Sequence, residues 1–311
     1  MKAVGWYIEE YGLAQVSINL TNYKISPPHL VFDECCRQAE KLGLRVTGSE
    51  IVGLVPLEAM LMAGRYYLEK QGKSPGVPEE ELIDIAVKSL GLDQLYPFEP
   101  EKKIIEYTVA EPRRFETMRL RSFVNEVSLD SPTPGGGSVA ALLGSLASAL
   151  GSMVANLSYK DDKEMGKKGI QLQRMKDEFL RDIENDARAF DAVISAMRMK
   201  ARTEEAKKEK EAKIRAAYLG AARVPLKVME RIVETLKLIG YIAEHGLLAS
   251  ISDAGVAARS SLACGEGAYL NVLINLKEAP DEEMKGKAES LLRQIRELSD
   301  QILDRVLSRL G

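Results

Sequence analysis

The chain has 311 residues, of which 45% are hydrophobic and 29% charged, and its formal net charge is −3. This composition is typical of a globular protein with two domains, and the near-neutral charge argues against a general nucleic-acid-binding protein. The three cysteines show neither metal-ligand nor disulfide spacing, which favours a reducing compartment. The N-terminus has no signal-peptide pattern, and the longest apolar stretch, residues 139–150, is too short to cross a membrane, so we expect a cytoplasmic protein without a membrane segment.

Residues 1–110 mix strand and helix patterns. Alternation of apolar and polar residues predicts a strand over residues 13–20, and two further strands are predicted over 45–54 and 103–109. Apolar spacing bounded by proline and glycine predicts helices over residues 29–42, 56–70 and 79–90. Strands and helices joined by short links predict an α+β N-terminal domain built as an α/β sandwich.

The strand pattern disappears after residue 116. Residues 111–116 are predicted to be a linker, and residues 117–311 an all-α helical bundle domain. Its predicted helices cover residues 117–127, 138–159, 161–199, 216–240, 242–276 and 281–310. The charged segment 202–214 is expected to be a solvated helix or loop.

A run of glycines, Gly135, Gly136 and Gly137, precedes Ser138 and a helix of small residues. One interpretation is that Ser138 caps this helix and that the free amides bind a carboxylate or phosphate. The other is a tight turn beneath close helix packing, because small residues recur at positions 144, 147, 148, 151 and 152. The two interpretations are compatible, and the absence of a following Lys-Ser or Lys-Thr pair excludes a Walker loop.

Asp186 lies at the edge of an apolar helical stripe that includes Ile183, Ala187 and Phe190. Partial burial there would raise the pKa of its carboxyl group, which suits a general acid or base. The alternative is a structural carboxylate paired with a basic residue such as Arg188 or Lys160.

Three further polar residues stand out in the second half of the chain. Asn271 and Asn275 share one helical face among apolar residues, so their amides need either a ligand or a neighbouring helix as partner. Asp253 could bind a ligand or cap the helix that follows it.

Tyr159 and Lys160 begin a short basic run that continues at positions 163, 167 and 168. Such a run is usually solvated surface, but beside a ligand site it would attract an anionic tail. The two histidines, His29 and His245, have no partners at metal-ligand or triad spacing, so neither a metal site nor serine-hydrolase chemistry is expected.

Several motifs, taken together and in order, resemble the formimidoyltransferase-cyclodeaminase family. The second half of the chain is similar to its cyclodeaminase/cyclohydrolase domain at residues 123–127, 134–141, 186–190, 224–226, 252–253 and 268–276. Residues 1–110 resemble the C-terminal subdomain of its formimidoyltransferase half at residues 5–7, 13–17, 19–20, 48–56 and 104–107. This second resemblance implies a ferredoxin-like fold for residues 1–110.

The resemblance implies a folate enzyme of one-carbon metabolism and histidine catabolism. It would cyclise 5-formimidoyltetrahydrofolate to 5,10-methenyltetrahydrofolate and release ammonia, with Asp186 as the catalytic carboxylate and no metal or cofactor beyond the tetrahydrofolate substrate. The pterin and a polyglutamate tail would be bound by Gly135, Gly136, Gly137, Ser138, Tyr159, Lys160, Asp253, Asn271 and Asn275. The resemblance also implies a homodimer, for which the small-residue helix 138–152 is the expected surface.

One departure from the family leaves alternatives open. The family's transferase half has an N-terminal subdomain with the catalytic histidine, and no part of this sequence resembles it. Complete transferase activity is therefore not expected of this chain alone. Three explanations are open: a separate polypeptide supplies that subdomain, residues 1–110 serve only for folate binding or docking, or the sequence is a truncation. For the second domain, the alternatives are a methenyltetrahydrofolate cyclohydrolase or a non-catalytic folate-binding or assembly subunit.

Overall fold

The protein is described by a computed structural model that covers residues 1–10, 12–110, 114–160 and 162–311. The chain divides into two compact units, Met1–Glu111 and Pro112–Gly311. The predicted linker, residues 111–116, lies partly outside the described residues.

The first unit begins with an antiparallel β-hairpin. Strands β1 (Lys2–Ile8) and β2 (Leu13–Asn19) pair so that Lys2 lies opposite Asn19 and Ile8 opposite Leu13. Strand β2 confirms the strand predicted over residues 13–20, whereas β1 was not predicted from the pattern. Apolar side chains on both faces of the hairpin remain exposed, among them Val4 at 60%, Trp6 at 46%, Tyr7 at 62% and Val16 at 58%.

The helices of this unit are α1 (Pro28–Lys41), α2 (Leu57–Lys70), α3 (Glu79–Leu90), α4 (Pro100–Lys103) and α5 (Ile105–Thr108). Helices α2 and α3 form its core, where Met60, Ala63 and Ala86 are fully buried. They touch at Gly64, where an added methyl group would lie 2.2 Å from the backbone oxygen of Leu82. The three predicted helices are therefore confirmed.

Helix α1 is held to α2 by polar and aromatic contacts. Asp33 accepts hydrogen bonds from Tyr66 (2.7 Å), Tyr67 (3.1 Å) and Lys70 (2.6 Å), and His29 stacks on the Tyr66 ring at 4.5 Å between centroids. The apolar spacing of this helix predicts a buried face of Leu30, Cys36, Ala39 and Leu42. That prediction is wrong for Leu30 and Leu42, which are exposed, and His29 is buried instead.

The two other predicted strands of the first unit do not form. Residues 45–54 have no regular structure, and only Val55 makes an isolated parallel bridge, to Ile104. Residues 100–108 form α4 and α5 instead, since Pro100 starts a helical turn and Ile104 is a buried extended residue between the two turns. Within the described residues the sheet thus has two strands, and the ferredoxin-like sandwich is not confirmed.

The second unit is a bundle of helices, as predicted. Its described residues form α6 (Leu120–Val127), α7 (Gly136–Leu157), α8 (Lys163–Met197), α9 (Glu204–His245), a 3₁₀ turn (Leu248–Ser250), α10 (Ile251–Glu278) and α11 (Glu282–Leu310). Helix α7 packs against α8, α9 and α10, and α11 covers α9 and α10.

Helix α9 is longer than the helix predicted over residues 216–240. It includes most of the charged segment 202–214, continues through Pro225 and ends at His245. The helix predicted over residues 242–276 is wrong at its start, because Gly246 ends α9 and the chain turns before α10 begins at Ile251.

The small residues of α7 face the interior of the bundle. Gly144, Ala147, Ser148, Gly151 and Ser152 are buried. A methyl group on Gly144 would lie 2.8 Å from the Phe179 ring of α8, so glycine permits this close packing. These residues therefore pack within one copy of the chain, and the small-residue surface expected to form a dimer is not available.

Helix α7 is also long and apolar enough to cross a membrane by length and composition alone. However, 61% of its most apolar window is buried among the other helices of the unit. This property is common in core helices of bundles, so it is weak evidence for a membrane span.

Candidate active site

The glycine run and Asp186 meet at the N-terminus of α7. Helix α7 begins at Gly136 with Gly135 as its N-cap, and the expectation that Ser138 caps the helix was therefore wrong. The buried Ser138 hydroxyl instead donates a hydrogen bond of 2.9 Å to Oδ2 of Asp186, which projects from α8. The backbone N–H of Ser138 also bonds this carboxylate.

Gly137 leaves the space that the Asp186 carboxylate occupies. A methyl group at Gly137 would lie 2.1 Å from Oδ1 and 2.8 Å from Oδ2 of Asp186. The anion at this helix N-terminus is thus a side chain of the protein itself. Both interpretations of the glycine run therefore apply. The absence of a side chain at Gly137 lets the Asp186 carboxylate come close, and the amide groups at the helix N-terminus face its negative charge.

The environment of Asp186 favours an exchangeable proton. Burial raises the pKa of Asp186, the hydrogen bonds from Ser138 oppose that shift, and the nearby negative charge of Asp182 adds to it. The residue is not fully buried. A carboxyl group with a raised pKa is suited to accept a proton and to return it.

Asn271 joins this site from α10. A methyl group at Gly136 would lie 3.3 Å from Nδ2 of Asn271, which places this amide beside the glycine run. Asn271 donates to the backbone oxygen of Gly267, and Asn275 donates to that of Asn271, both at 2.8 Å. These amides were expected to bond a ligand or a neighbouring helix, but each donates to a backbone oxygen of its own helix. Asn275 lies one turn further along that helix.

The remaining predicted site residues lie elsewhere in the unit. Tyr159 and Lys160 follow the C-terminal end of α7, about 33 Å from Ser138 at 1.5 Å per residue. Asp253 is in the first turn of α10, about 27 Å from Asn271 by the same rise, and Ser250 rather than Asp253 is the N-cap. These three residues are not brought together with Asp186 within one copy, and a pairing of Asp186 with Lys160 is wrong.

Four charged residues of α8 and α9 make contacts that the sequence analysis did not predict. Asp182 on α8 contacts Arg231 of α9, and Arg231 also bonds Glu178 at 2.8 Å. Glu184 is buried and accepts hydrogen bonds from the backbone N–H groups of Phe115 and Glu116. Glu184 was detectable only as a charged residue beside the apolar stripe, a weak signal.

No cluster of three or more histidine, cysteine or acidic side chains suited to a metal ion occurs in the parts of the chain that the structure describes. The two histidines lie in different units, since His29 is in α1 and His245 ends α9.

Comparison with known proteins identifies relatives of both units. A family profile described as formiminotransferase-cyclodeaminase matches residues 119–294, and one described as formiminotransferase domain matches residues 1–110. A formimidoyltransferase-cyclodeaminase from Sus scrofa is 37% identical over 322 residues, which cover 99% of this chain and 59% of the relative. The chain thus spans little more than half the length of this relative.

Two further relatives match the second unit. A methenyltetrahydrofolate cyclohydrolase from Methylorubrum extorquens is 36% identical over 205 residues, covering 62% of this chain and 97% of that protein. The crystal structure of a formiminotetrahydrofolate cyclodeaminase from Thermotoga maritima is 27% identical, with a TM-score of 0.55, and covers 63% of this chain and 98% of its own. The chain therefore belongs to the formiminotransferase-cyclodeaminase family.

Proposed function

We propose that the second unit cyclises 5-formimidoyltetrahydrofolate to 5,10-methenyltetrahydrofolate and releases ammonia. The observation that carries this proposal is the half-buried Asp186 carboxylate, bonded by Ser138 at the N-terminus of α7. The cyclodeaminase of known structure, whose fold the second unit shares, supports the same assignment. We further propose that the protein is cytoplasmic and needs no cofactor beyond its folate substrate.

Asp186 would act as both base and acid. N10 of the folate attacks the carbon of the protonated formimino group (C=NH2⁺), which leaves that nitrogen as an NH2 group, and Asp186 accepts the proton that N10 loses. The carboxyl group then delivers this proton to the nitrogen that leaves as ammonia, because an amine is a poor leaving group unless it is protonated. The raised pKa of Asp186, caused by burial, suits both steps. Asn271 lies where it could bind the polar pterin.

The direct test is an absorbance assay for methenyltetrahydrofolate formed from 5-formimidoyltetrahydrofolate. Wild-type protein should produce it together with an equal amount of ammonia. A folded wild-type protein that forms neither product would exclude the cyclodeaminase assignment.

A cyclohydrolase activity is the second candidate, because the Methylorubrum extorquens relative bears that name and the chain covers 97% of it. Such an enzyme adds water to the same carbon, and Asp186 could serve as the base. Incubation of the protein with 5,10-methenyltetrahydrofolate distinguishes the two, since a cyclohydrolase removes its absorbance faster than the spontaneous reaction does.

We propose a homodimer through the outward face of α7 rather than through its small residues. This helix carries no charged residue, and its Leu146 and Leu157 are exposed by 51% and 54%. Exposed apolar surface of this kind is typical of an interface. An antiparallel pairing of two α7 helices would bring Tyr159 and Lys160 of one copy toward Asp186 of the other, where they could contribute to substrate binding.

Exchange of Leu146 for glutamate should therefore lower the molar mass measured by light scattering from that of a dimer to that of a monomer, because a charge would be buried in the interface. Leu120→Glu, on α6, is the matched control, since Leu120 is even more exposed but lies off α7. A wild-type protein that is already monomeric would contradict the proposal.

We propose that the hairpin of the first unit docks a separate formimidoyltransferase N-terminal subdomain. A glutamate formimidoyltransferase from Thermoplasma acidophilum is 33% identical over 76 residues, which are 25% of its length, so most of that protein lies outside the match. Exposed apolar residues on both faces of a two-stranded hairpin need such a cover. Gln15 of β2 bonds Glu50 at 3.0 Å, so docking could add residues 45–54 as a strand of a ferredoxin-like sheet.

This docking can be measured by calorimetric titration with the unmatched part of a glutamate formimidoyltransferase. We expect binding to wild type and at least about tenfold weaker binding to Val16→Glu, because that charge would be desolvated in the interface. Val124→Glu on α6 serves as the control of equal exposure. Equal affinities for wild type and Val16→Glu would exclude the hairpin as the docking surface.

A further inference from the structure

A buried charge cluster joins α8 to α9 beside the candidate site. Arg231 of α9 contacts the carboxylate of Asp182 and bonds Glu178 through Nε at 2.8 Å. The Asp182 side chain is 7% exposed and that of Arg231 18%. The guanidinium also lies 5.3 Å from the centre of the buried Phe179 ring. The two charges are therefore held in fixed positions and are weakly screened by solvent.

Asp182 lies one helical turn before Asp186 on α8, so the two carboxylates point to the same side of the helix. Asn185 donates to Oδ1 of Asp182 at 3.1 Å, which leaves Oδ2 to Arg231. We propose, on the basis of the function proposed above, that Asp182 and Arg231 are positioning residues for the reaction: as an ion pair they fix the charge beside Asp186 and thereby the proton affinity of that carboxyl group.

The groups around Asp186 from each helix support this assignment. Helix α7 contributes the Ser138 hydroxyl and amide, and α10 contributes the neutral Asn271. The negative charge of Asp182 raises the pKa of Asp186, while burial raises that of Asp182 itself and the Arg231 guanidinium opposes this second shift.

The Cys264 thiol of α10 adds no charge near this pair, because complete burial raises its pKa far above the usual range. Asp182 and Arg231 thus form a charged pair that begins one helical turn from Asp186. Removing the Asp182 charge should lower the proton affinity of Asp186, and removing Arg231 as well should reverse part of that change, because a positive charge acts in the opposite direction.

The test is the acid limb of the pH profile of kcat/KM, which follows ionisation of the free enzyme. Asp182→Asn removes the like charge and keeps Arg231, so the limb should move to lower pH. The double variant Asp182→Asn, Arg231→Met lacks both charges, and its limb should return toward the wild-type position. Arg174→Met is the control, since Arg174 bonds Glu178 at 2.8 Å from the exposed side and does not reach Asp182.

If the pair were purely structural, the acid limbs of wild type, both Asp182 variants and Arg174→Met would coincide, and only the unfolding midpoints would differ. That result would overturn the proposal. The carboxyl carbon of Asp186 provides a readout without turnover. In protein labelled with ¹³C at aspartate carboxyl groups, the Asp186 resonance is the one that disappears in Asp186→Asn. The pH midpoint of its titration should shift between variants in the same direction as the acid limb of kcat/KM. If wild type has no cyclodeaminase activity, this titration still tests the pair separately from the proposed function.

Discussion

Exchange of Gly137 for alanine is expected to lower cyclodeaminase turnover by about 100-fold, because a displacement of about 1 Å in a catalytic group has that effect. The added methyl group would lie 2.1 Å from Oδ1 of Asp186, and the side chain would have to move away from its hydrogen bond with Ser138. The helix itself should not suffer, since alanine is a better helix former than glycine. The loss should therefore appear in kcat, with an unfolding midpoint close to that of wild type.

Gly220→Ala is the matched control for this variant. Gly220 lies within α9, and an added methyl group there has no neighbouring atom within 4 Å. Its turnover should equal that of wild type. If Gly137→Ala kept full turnover, the carboxylate would not need its place over the α7 N-terminus, and the proposed geometry of the site would be wrong.

Exchange of Asp186 for asparagine should lower turnover by about 100- to 10,000-fold, which is the usual contribution of a general acid–base group. Asparagine keeps the shape and can still accept the hydrogen bond from Ser138, but it cannot carry a proton between N10 and the leaving nitrogen. The measurement is the formation of methenyltetrahydrofolate at several pH values, because a residual acid limb would indicate a second titrating group.

The same variant should be at least as stable as wild type above neutral pH. The pKa of Asp186 is raised in the folded protein, mainly by burial, so the native state binds a proton more tightly than the unfolded chain does. The stability that this group contributes is thus present at low pH and is lost as the pH rises through the folded pKa. Denaturant unfolding at pH 5 and pH 8 checks the sign, and an Asp186→Asn protein less stable than wild type at pH 8 would contradict it.

The core of the candidate site was predictable because its residues carry local signals. A glycine run before a helix and a carboxylate at the edge of an apolar stripe point to a close approach and to a perturbed pKa without any tertiary information. Their meeting was not predictable, since Ser138 and Asp186 lie 48 positions apart. Ser138 fits the N-cap preference, yet the tertiary contact with Asp186 places the cap at Gly135 instead.

The role of Arg231 had no comparable signal. It is one of 43 lysines and arginines, and its partners on α8 are about 50 positions away in the sequence. Tyr159, Lys160 and Asp253 were grouped with Asp186 by resemblance alone, and the lengths of α7 and α10 separate them from it. The strand expected at residues 45–54 does not form for a related reason. A strand needs hydrogen bonds to a neighbouring strand along its length, and here only Val55 forms a bridge, to Ile104.

Trp6 is the single tryptophan of the chain, and it is part of strand β1, half exposed among the apolar residues of the hairpin. Indole emission excited at the red edge of the absorption band therefore comes from the first unit alone. Its wavelength follows unfolding of that unit and covering of the hairpin. The first unit can therefore be observed by itself in the intact chain.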